Sequence, residues 1–441
     1  MKIDDLDERN LKAGAGQGSG VDFYTETDIA SPGFATRADL LERGLKHHEA
    51  GRLEQAQIMY RRIFDAQPLD ADALHLFGVA EHQGGNHRSA IEYIERAIDL
   101  NPLVPLYHNN LGAAYQSLNL LDEAGRSVMA SLALKPDSAD AHYNLGVIFD
   151  NRGEHDRARA CFRQAILLQP AFIQAHFNLG VLLRRAGDFS EAAHCFQQVV
   201  QLEPGNATAR FLLAASNGQK IERAPDQYVA GIFDADADKF DEHLVNTLQY
   251  DTPQRLLALS IGLLGGEKKN LLDIGCGTGL VGASFAPYTQ HLVGVDLSAN
   301  MLARASSRQL YQRLEHAELL SMMQWEKSAC YDIIVAADVF IYCGRLEEIF
   351  TEARRLLRDG GFFVFSVESL DDMPRGTPKR SGARNFQLNA NGRFAHSAAY
   401  IHTLAFASGF RINTMLSAPA RLEAGKPVSA WLVLLESEDD G

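Results

Sequence analysis

The stretch Leu271-Leu-Asp-Ile-Gly-Cys-Gly-Thr-Gly279 decides the fold of the second half of this chain. It indicates a short apolar strand, a turn with three glycines and the start of a helix. Glycines let the backbone pass close to a ligand, and a helix N-terminus offers unpaired N–H groups. A dinucleotide fold needs G-x-G-x-x-G, but the sixth position from Gly275 is Leu280. The spacing found, with Asp273 before it, predicts a loop that holds a nucleoside and an amino-acid tail, without a diphosphate.

The residues around this loop alternate between strand and helix patterns. From Tyr228 onward the alternation is typical of a doubly wound α/β domain. Asp296 ends the strand that follows the loop, where a carboxylate accepts hydrogen bonds from both hydroxyls of a ribose. The predicted strands are 270–274, 291–296, 331–336, 361–367, 410–416 and 428–435. Residues 369–394, rich in Gly, Pro, Asn and Arg, are expected to form a long insert.

The first half of the chain repeats itself every 34 residues through five units. One glycine, one alanine and one proline hold fixed positions in every unit. They are Gly44, Gly78, Gly112, Gly146 and Gly180; Ala56, Ala90, Ala124, Ala158 and Ala192; and Pro68, Pro102, Pro136, Pro170 and Pro204. Gly and Ala are expected where the two helices of a unit cross closely, and Pro is expected to end the second helix. This period predicts a helical solenoid with a surface for a partner.

Residues 37–206 resemble five tetratricopeptide (TPR) repeats, because three positions keep the register without an insertion. The fourth position, often Trp in such repeats, is occupied by other residues here. They are Leu40, Leu74, His108, His142 and His176. The resemblance implies two helices in each unit, with a capping helix over 207–218 that covers the last repeat.

Three asparagines recur at the sixth position of successive units, which is expected on the inner face of the solenoid. They are Asn110, Asn144 and Asn178. An amide both donates and accepts hydrogen bonds, so this ladder suits a peptide backbone whatever its side chains. It resembles the ladder of TPR arms that bind extended polypeptide. The alternative interpretation is that each Asn satisfies a turn of its own repeat.

Residues 228–436 resemble the class I S-adenosylmethionine (SAM) methyltransferases. The resemblance is carried by the glycine loop, by Asp296 and by the segments Tyr331-Asp-Ile-Ile-Val-Ala-Ala-Asp338 and Leu357-Arg-Asp-Gly-Gly-Phe-Phe-Val-Phe365, taken together. It implies SAM as the cofactor. The residues that it implies for SAM binding are Asp273, Gly275, Gly277, Gly279, Asp296, Leu297, Met301, Glu318 and Tyr228.

Some of these assignments have alternatives. Glu318 stands where the family often has an Asp near the adenine amino group, and a solvated surface acid is the other interpretation. In many relatives a Tyr of the lead-in segment, which here is residues 228–250, touches the carboxylate of the cofactor. Here the segment has Phe233 and Phe240, which can pack as a lid but cannot donate a hydrogen bond. Tyr228 is therefore the remaining candidate.

The methyl group of a sulfonium is already electrophilic, so a general base is needed only when the acceptor arrives protonated. The candidates for catalysis are Asp338, Tyr342 and His396, which are expected at the carboxyl edge of the sheet. The alternative interpretation is that Tyr342 is a packing residue and that His396 makes a hydrogen bond at the start of a helix. A local basic run in the insert indicates either a substrate loop for an anionic acceptor or a mobile solvated loop. Its members are Arg375, Lys379, Arg380, Arg384 and Arg393.

The composition bounds the function classes. With 441 residues, 46% hydrophobic and 22% charged, the chain is expected to fold into two or three domains. A net charge of -14 argues against general nucleic-acid binding. Five cysteines without a C-x-x-C pair, and no apolar segment at the N-terminus, predict a cytoplasmic location. No apolar stretch is long enough to span a membrane, and no ligand spacing predicts a metal site.

The sequence therefore predicts an α-solenoid of TPR repeats followed by an α/β Rossmann-like class I methyltransferase domain. The predicted segments are a flexible tail (1–36), the repeats (37–206), a capping helix and linker (207–227) and the methyltransferase domain (228–436). The arrangement resembles bacterial TPR-containing SAM-dependent methyltransferases. The predicted function is methyl transfer from SAM to an acceptor. In the more specific form of this prediction, the acceptor is a polypeptide that the repeat arm recruits. The alternatives are a small-molecule methyltransferase docked by its repeats and a scaffold with an inactive SAM domain.

Overall fold

The computed structural model describes residues 35–236, 241, 250–372, 385–423 and 426–438. Most of the predicted tail lies outside the described residues, as does Phe240. The same holds for four members of the basic run, Arg375, Lys379, Arg380 and Arg384. The chain divides into two compact units, with the boundary after Leu182. Within the described ranges, no helix combines the length and the apolar character needed to cross a membrane.

The first unit consists of successive helix pairs. The helices are α1 (Arg37–Glu49), α2 (Leu53–Ala66), α3 (Ala71–Gln83), α4 (His87–Leu100), α5 (Pro105–Ser117), α6 (Leu121–Leu134), α7 (Ala139–Asn151), α8 (His155–Leu168) and α9 (Ile173–Arg185), which crosses the unit boundary. Side chains of Thr36, Asp70 and Ser138 accept hydrogen bonds from backbone N–H groups at the starts of α1, α3 and α7. These caps fix where the first helix of a repeat begins.

The repeat glycines lie where the two helices of one unit touch. A Cβ added at Gly112 would lie 2.4 Å from Cγ2 of Val128, and one at Gly146 would lie 2.7 Å from Cε1 of Phe162. No side chain fits such a gap unless the helices move apart. The 34-residue glycine register is therefore a packing requirement of the helix crossing.

We expect Gly112→Ala to lower the free energy of unfolding by about 1–3 kcal/mol, because the added methyl group overpacks the contact with Val128. Gly125 of α6 is the matched control, since a Cβ there would lie 3.8 Å from Ile148, an ordinary contact. Gly125→Ala should be neutral or stabilising by up to about 1 kcal/mol. Urea unfolding followed by circular dichroism measures both variants, and equal effects would contradict the packing argument.

Histidine at the fourth position of the repeat links adjacent units. Three such histidines place Nε2 within hydrogen-bond distance of the carbonyl oxygen of the preceding repeat proline. The pairs are His108–Pro102 (2.8 Å), His142–Pro136 (3.0 Å) and His176–Pro170 (2.9 Å). A neutral imidazole with its proton on Nε2 donates this bond. The contact gives a physical reason why these units do not need the Trp of the consensus.

The second unit begins with the end of α9 and continues into an α/β domain. Its helices are α10 (Phe189–Leu202), α11 (Ala207–Ser216), α12 (Asp226–Asp236), α13 (Thr252–Ser260), α14 (Leu280–Phe285), α15 (Ala299–Ser307), α16 (Leu319–Trp325), α17 (Glu347–Leu356) and α18 (Ala398–Ala407). Its strands are β1 (Lys269–Ile274), β2 (Thr289–Asp296), β3 (Arg313–His316), β4 (Tyr331–Ala336), β5 (Leu357–Ser369), β6 (Phe386–Leu388), β7 (Phe394–His396), β8 (Phe410–Glu423) and β9 (Lys426–Ser437).

The strands form one mixed sheet. Five of them run parallel in the order β3-β2-β1-β4-β5, and β9 then pairs antiparallel with both β5 and β8. At the carboxyl end of β5, β7 pairs in parallel at Glu368 and Ser369, and β6 pairs antiparallel with β7. This confirms the predicted fold class of helical repeats followed by a Rossmann-like α/β domain.

Both faces of the sheet are covered, as in other α/β folds. On one face, side chains such as Leu272 and Phe363 pack with Phe350 of α17 and Ile401 of α18. On the other face, Leu271 and its neighbours pack with α13 and α14. Buried on both sides, the parallel strands leave only their ends available, so ligands are expected at the carboxyl edge.

Candidate cofactor and acceptor site

The turn after β1 has three glycines in the left-handed region of backbone space. The φ angles of Gly275, Gly277 and Gly279 are 67°, 53° and 89°, values that favour glycine strongly. A Cβ at Gly275 would lie 2.4 Å from Cγ2 of Val339, whereas a Cβ at Gly277 would meet no described atom within 4 Å. Gly275 therefore packs against the residue that follows Asp338, whereas nothing in the described part of the chain crowds Gly277.

Asp296 at the end of β2 is tied to this glycine loop. Its Oδ2 accepts a hydrogen bond from the backbone N–H of Gly277 (2.8 Å), and its Oδ1 accepts one from Ser298 N–H (2.8 Å). Burial raises the pKa of this carboxyl, although these backbone donors oppose the shift. Each carboxylate oxygen keeps a further lone pair, so the group is able to bind a diol while it holds the loop.

Asp273, the last residue but one of β1, lies fully inside the domain. The hydroxyl of Tyr311 donates to its Oδ2 at 2.6 Å, while its Oδ1 has no hydrogen-bond partner among the described residues. Burial raises the pKa of Asp273 to about 7. A buried carboxylate oxygen without a partner is costly, and a cationic or N–H-bearing ligand in the loop would satisfy it.

Two acids that no sequence motif had singled out also contact the loop region. Asp234 of α12 accepts a hydrogen bond from Ser298 Oγ (2.5 Å), and Asp241 accepts hydrogen bonds from Thr278 Oγ1 and from Arg308. The signal was present as the Asp-rich run 234–241, but no spacing rule assigned it a partner. These contacts place Asp234 and Asp241 beside the glycine loop and the start of α15.

Glu318 lies at the start of α16, as expected for the residue after β3, but its oxygens are already engaged. It caps the helix by accepting from the N–H groups of Leu320 and Ser321, each at 2.8 Å, and it pairs with Arg223 at 2.5 Å. Although burial opposes the shift, these donors hold the pKa of Glu318 below its usual range. Its capping role was not foreseen, although an acid before a short helix is the ordinary sign of an N-cap.

The other predicted cofactor residues occupy different surroundings. Leu297 is half-buried directly after Asp296, and its carbonyl oxygen lies 3.0 Å from Nε2 of His316. Met301 is buried in α15. Tyr228 is buried beside Phe211 of α11, with ring centroids 4.8 Å apart, and Gly392 lies against its hydroxyl. The described contacts thus assign Tyr228 to the surroundings of Gly392.

Asp338 follows β4 with a φ of 56°, an unusual value for a residue other than glycine. It exchanges two hydrogen bonds with Ser366 of β5: its N–H donates to Oγ (2.8 Å), and Oγ donates to its Oδ1 (2.7 Å). Arg421 of β8 lies 3.4 Å from its other oxygen and also pairs with Glu368 at the end of β5. Strained, fully bonded positions of this kind cluster at functional sites.

The remaining predicted catalytic residues are enclosed. Tyr342 is buried, Arg393 hydrogen-bonds to its hydroxyl, and Phe233 packs edge-on against its ring at 5.8 Å. His396, in β7, is fully buried, and its Nε2 lies 3.1 Å from the Gly344 carbonyl oxygen. Burial lowers the pKa of His396 to about 4, which makes it a weak base.

The loop and its acids fit a SAM molecule. Among the described residues, Oδ1 of Asp273 has no hydrogen-bond partner and a Cβ at Gly277 would meet no atom within 4 Å, while Asp296 keeps lone pairs for a further donor. Val339, which follows Asp338, packs against Gly275, so the loop after β4 lies directly against the glycine loop.

In the first unit, each asparagine of the ladder donates its amide to the preceding repeat. The pairs are Asn110 with His75 Nε2 (3.0 Å), Asn144 with Asn109 Oδ1 (3.0 Å) and Asn178 with Tyr143 Oη (3.1 Å). The amide nitrogens therefore link neighbouring repeats, and none of these bonds involves a turn of its own unit. The carbonyl oxygen Oδ1 is the side-chain atom that suits a peptide N–H.

Fold and site together define a methyltransferase-type α/β domain preceded by TPR repeats. A family model described as a methyltransferase domain matches residues 272–363. Models of the tetratricopeptide repeat match 41–105, 83–132, 139–172 and 173–206. The resemblance of this chain to TPR-containing methyltransferases is thereby confirmed.

The individual relatives are methyltransferases too. Over 134 residues the chain is 29% identical to a probable S-adenosylmethionine-dependent methyltransferase of Saccharomyces cerevisiae, covering 29% of this chain and 45% of the relative. Over 148 residues it is 28% identical to the malonyl-acyl-carrier-protein O-methyltransferase of Enterobacter lignolyticus, covering 34% and 56%. A solved SAM-dependent methyltransferase from Methanosarcina mazei has 15% identity and a TM-score of 0.35, covering 40% and 96%. The chain spans about half the length of the curated relatives it matches.

Proposed function

We propose that this chain binds SAM at the glycine loop and transfers its methyl group to an acceptor, and that the acceptor is a polypeptide recruited by the TPR repeats. The observation that carries the proposal is the loop of three left-handed glycines between an incompletely paired Asp273 and the loop-holding Asp296. When bound, SAM supplies an activated methyl group. The protein has to orient the two partners and exclude water.

Each part of the site has a task in this proposal. Asp296 binds the ribose hydroxyls, and Asp273 with Gly275, Gly277 and Gly279 surrounds the methionine part. Leu297 and Met301 flank the adenine. Glu318 lies on the same side, where it caps the start of α16. Asp234 and Asp241, which contact Ser298 and Thr278, help to exclude water beside the glycine loop.

At the acceptor end we assign Asp338 an orienting role, because Ser366 and Arg421 hold both of its oxygens. Tyr342 and Tyr228 form the wall of the acceptor site in this proposal. For His396 we propose a role in packing β7 against Gly344, since its imidazole is enclosed and bonded.

The recruiting role of the repeats is supported by the asparagine ladder, whose Oδ1 atoms recur once in each of three successive units. We expect Asn144→Ala to reduce transfer of labelled methyl groups to proteins of a cell extract by about threefold to tenfold, the loss of one neutral hydrogen bond. Its SAM affinity should not change. Asn151→Ala, at an exposed residue at the end of α7, is the matched control. Unchanged protein labelling in Asn144→Ala would contradict the recruiting role.

A point variant tests the arm more cleanly than its removal does. Arg184 donates to the Asn391 carbonyl oxygen at 2.7 Å, and Phe211 packs on Tyr228, all within the second unit. Deletion of residues 1–206 would remove Arg184 and the helix α10 that packs on α11. Lost activity after that deletion would therefore report damage to the second unit as well as loss of the groove.

Calorimetric titration of the full chain with SAM separates this proposal from an inactive scaffold. We expect saturable binding at micromolar concentrations, and no binding at millimolar concentrations would favour the scaffold. If SAM binds and small acceptors are methylated equally well by wild type and Asn144→Ala, the docked small-molecule enzyme is the better description.

A further inference from the structure

Tyr311, in the segment between α15 and β3, has its ring in a slot formed by three glycines. A Cβ added at Gly282 would lie 2.5 Å from its Oη, one at Gly294 would lie 2.8 Å from its Cε1, and one at Gly279 would lie 3.1 Å from its Cε2. The three atoms nearest to a Cβ at Gly282 all belong to this tyrosine. The absence of a side chain at Gly282 is therefore explained by the space that the ring occupies.

The hydroxyl of Tyr311 connects the end of β1 to the first turn of α14. It donates to Oδ2 of Asp273 at 2.6 Å and accepts from the backbone N–H of Gly282 at 3.2 Å. A phenol that donates on one side and accepts on the other is held in a single orientation by the two bonds. Asp273 is thereby fixed through one oxygen, while its Oδ1 has no hydrogen-bond partner among the described residues.

The segment that carries Tyr311 is itself held against the sheet and the glycine loop. Gln312 exchanges two hydrogen bonds with Leu292 of β2: its N–H donates to the carbonyl oxygen at 2.9 Å, and its Oε1 accepts from the N–H at 2.6 Å. Arg308 donates from Nε to the carbonyl oxygen of Thr278 at 2.6 Å. The tyrosine ring is therefore presented to Asp273 by backbone that is fixed on both sides of it.

The ionisable groups around Asp273 come from several elements. Burial raises the pKa of Asp273 to about 7 and the charge of Asp296, at the end of β2, acts in the same direction, whereas the hydrogen bond from Tyr311 lowers this pKa. Cys276 in the glycine loop and Tyr250 before α13 also interact with Asp273. Burial raises the pKa of both groups, so they stay uncharged near neutral pH. Among these neighbours, Tyr311 is the one that favours the ionised carboxylate.

We infer that Tyr311 is a positioning residue for the cofactor, which holds Oδ2 of Asp273 so that Oδ1 receives the ammonium group of SAM; this inference rests on the proposed function. The glycine slot orients the ring, the N–H of Gly282 orients the hydroxyl, and the hydroxyl orients the carboxylate. An ionised carboxylate that is already oriented binds an ammonium group more strongly than one that rotates or carries a proton. Tyr311 acts through Asp273 and makes no contact with the ligand itself.

The test is calorimetric titration of the full chain with S-adenosylhomocysteine at several pH values, in which the wild type is compared with Tyr311→Phe. The variant keeps a ring in the slot but loses the hydrogen bond, so Asp273 should become ionised only at a higher pH. We expect the affinity of the variant to be about tenfold below that of the wild type at pH 5.5 and within about twofold of it at pH 8.5. A role confined to packing would lower the affinity by the same factor at every pH. Equal affinities, or a constant ratio, would overturn the inference.

Two comparisons localise the effect. Tyr288→Phe removes a hydroxyl from a tyrosine that packs against the same buried cluster as Tyr311, and it should leave the affinity and its pH profile unchanged. In an Asp273→Asn background, Tyr311→Phe should add no pH-dependent loss, because the titrating group is gone. A pH-dependent loss that persists in this background would show that Tyr311 acts through another group, and the inference would be wrong.

Melting profiles of the ligand-free proteins separate this inference from the proposed function. A carboxyl whose folded-state pKa is raised stabilises the fold below its unfolded-state pKa and loses that contribution as the pH rises through the folded-state value. Tyr311→Phe should therefore lose melting temperature relative to the wild type between about pH 7 and pH 8.5, where the wild-type carboxyl is already largely ionised. Parallel profiles would refute the link between Tyr311 and Asp273. If the profiles diverge but the wild type does not bind S-adenosylhomocysteine, the proposed function fails, and the role of Tyr311 toward the cofactor fails with it.

Discussion

Asp296→Ala should weaken SAM binding at least about 100-fold, because it removes two charge-assisted hydrogen bonds to the ribose. The structure adds a second reason. Asp296 also accepts from the N–H groups of Gly277 and Ser298, so its loss releases the loop that encloses the ligand. Isothermal titration of the full chain with SAM measures the change directly.

Two further variants separate these contributions. Asp296→Asn keeps one oxygen for the Gly277 N–H but loses the charge, so its affinity should lie between those of the wild type and the alanine variant. Glu315→Ala removes a half-exposed acid from the neighbouring strand β3 and should leave SAM affinity unchanged. An Asp296→Ala protein that folds and binds SAM normally would refute the ribose assignment.

The repeats and the glycine loop were predictable because their constraints are local or periodic. Gly112 recurs with its 34-residue register because a helix crossing leaves no room for a Cβ. Gly275 and Gly279 are required by positive φ angles within one turn. The position of Asp296 beside that turn was also predictable, because the end of the second strand lies there in this fold, and its carboxylate accepts from the N–H of Gly277.

The contacts at the carboxyl end of β5 could not be predicted, because they join residues far apart in sequence. Arg421 and Glu368 are 53 residues apart and meet only because β9 places β8 next to the end of β5. β6 and β7, of three residues each, are too short to show an alternating pattern, and they lie at the edges of the predicted insert. His396 lies in the short strand β7, and its burial depends on packing that no local sequence pattern indicates.

The contact between Arg223 and Glu318 illustrates the same limit. Arg223 belongs to the segment predicted as a linker, yet its neighbours Glu222 and Ala224 exchange backbone hydrogen bonds with Gly344 and Tyr342. The segment thus joins the loops after β3 and β4. Sequence composition marks such a segment as a connection, whereas its backbone pairing depends on the complete domain.

SAM affinity should fall with decreasing pH, on the order of tenfold between pH 7.5 and pH 5.5, through Asp273. Burial raises the pKa of Asp273 to about 7 in the ligand-free protein. A cationic ammonium group of the ligand favours the ionised carboxylate, so binding has to remove a proton at low pH. Above about pH 7 the carboxylate is already ionised, and the affinity should become independent of pH.

Asp273→Asn is the matched variant, since its side-chain oxygen still accepts from Tyr311 while the titrating group is gone. It should bind SAM weakly, with little pH dependence over this range. Stability provides an independent check. A carboxyl whose folded-state pKa is raised stabilises the fold below its unfolded-state pKa and loses that contribution as the pH rises toward about 7. The ligand-free wild type should therefore lose melting temperature between pH 5.5 and pH 7.5 relative to Asp273→Asn, and SAM should restore it. Parallel pH profiles for the two proteins would show that Asp273 does not titrate in this range.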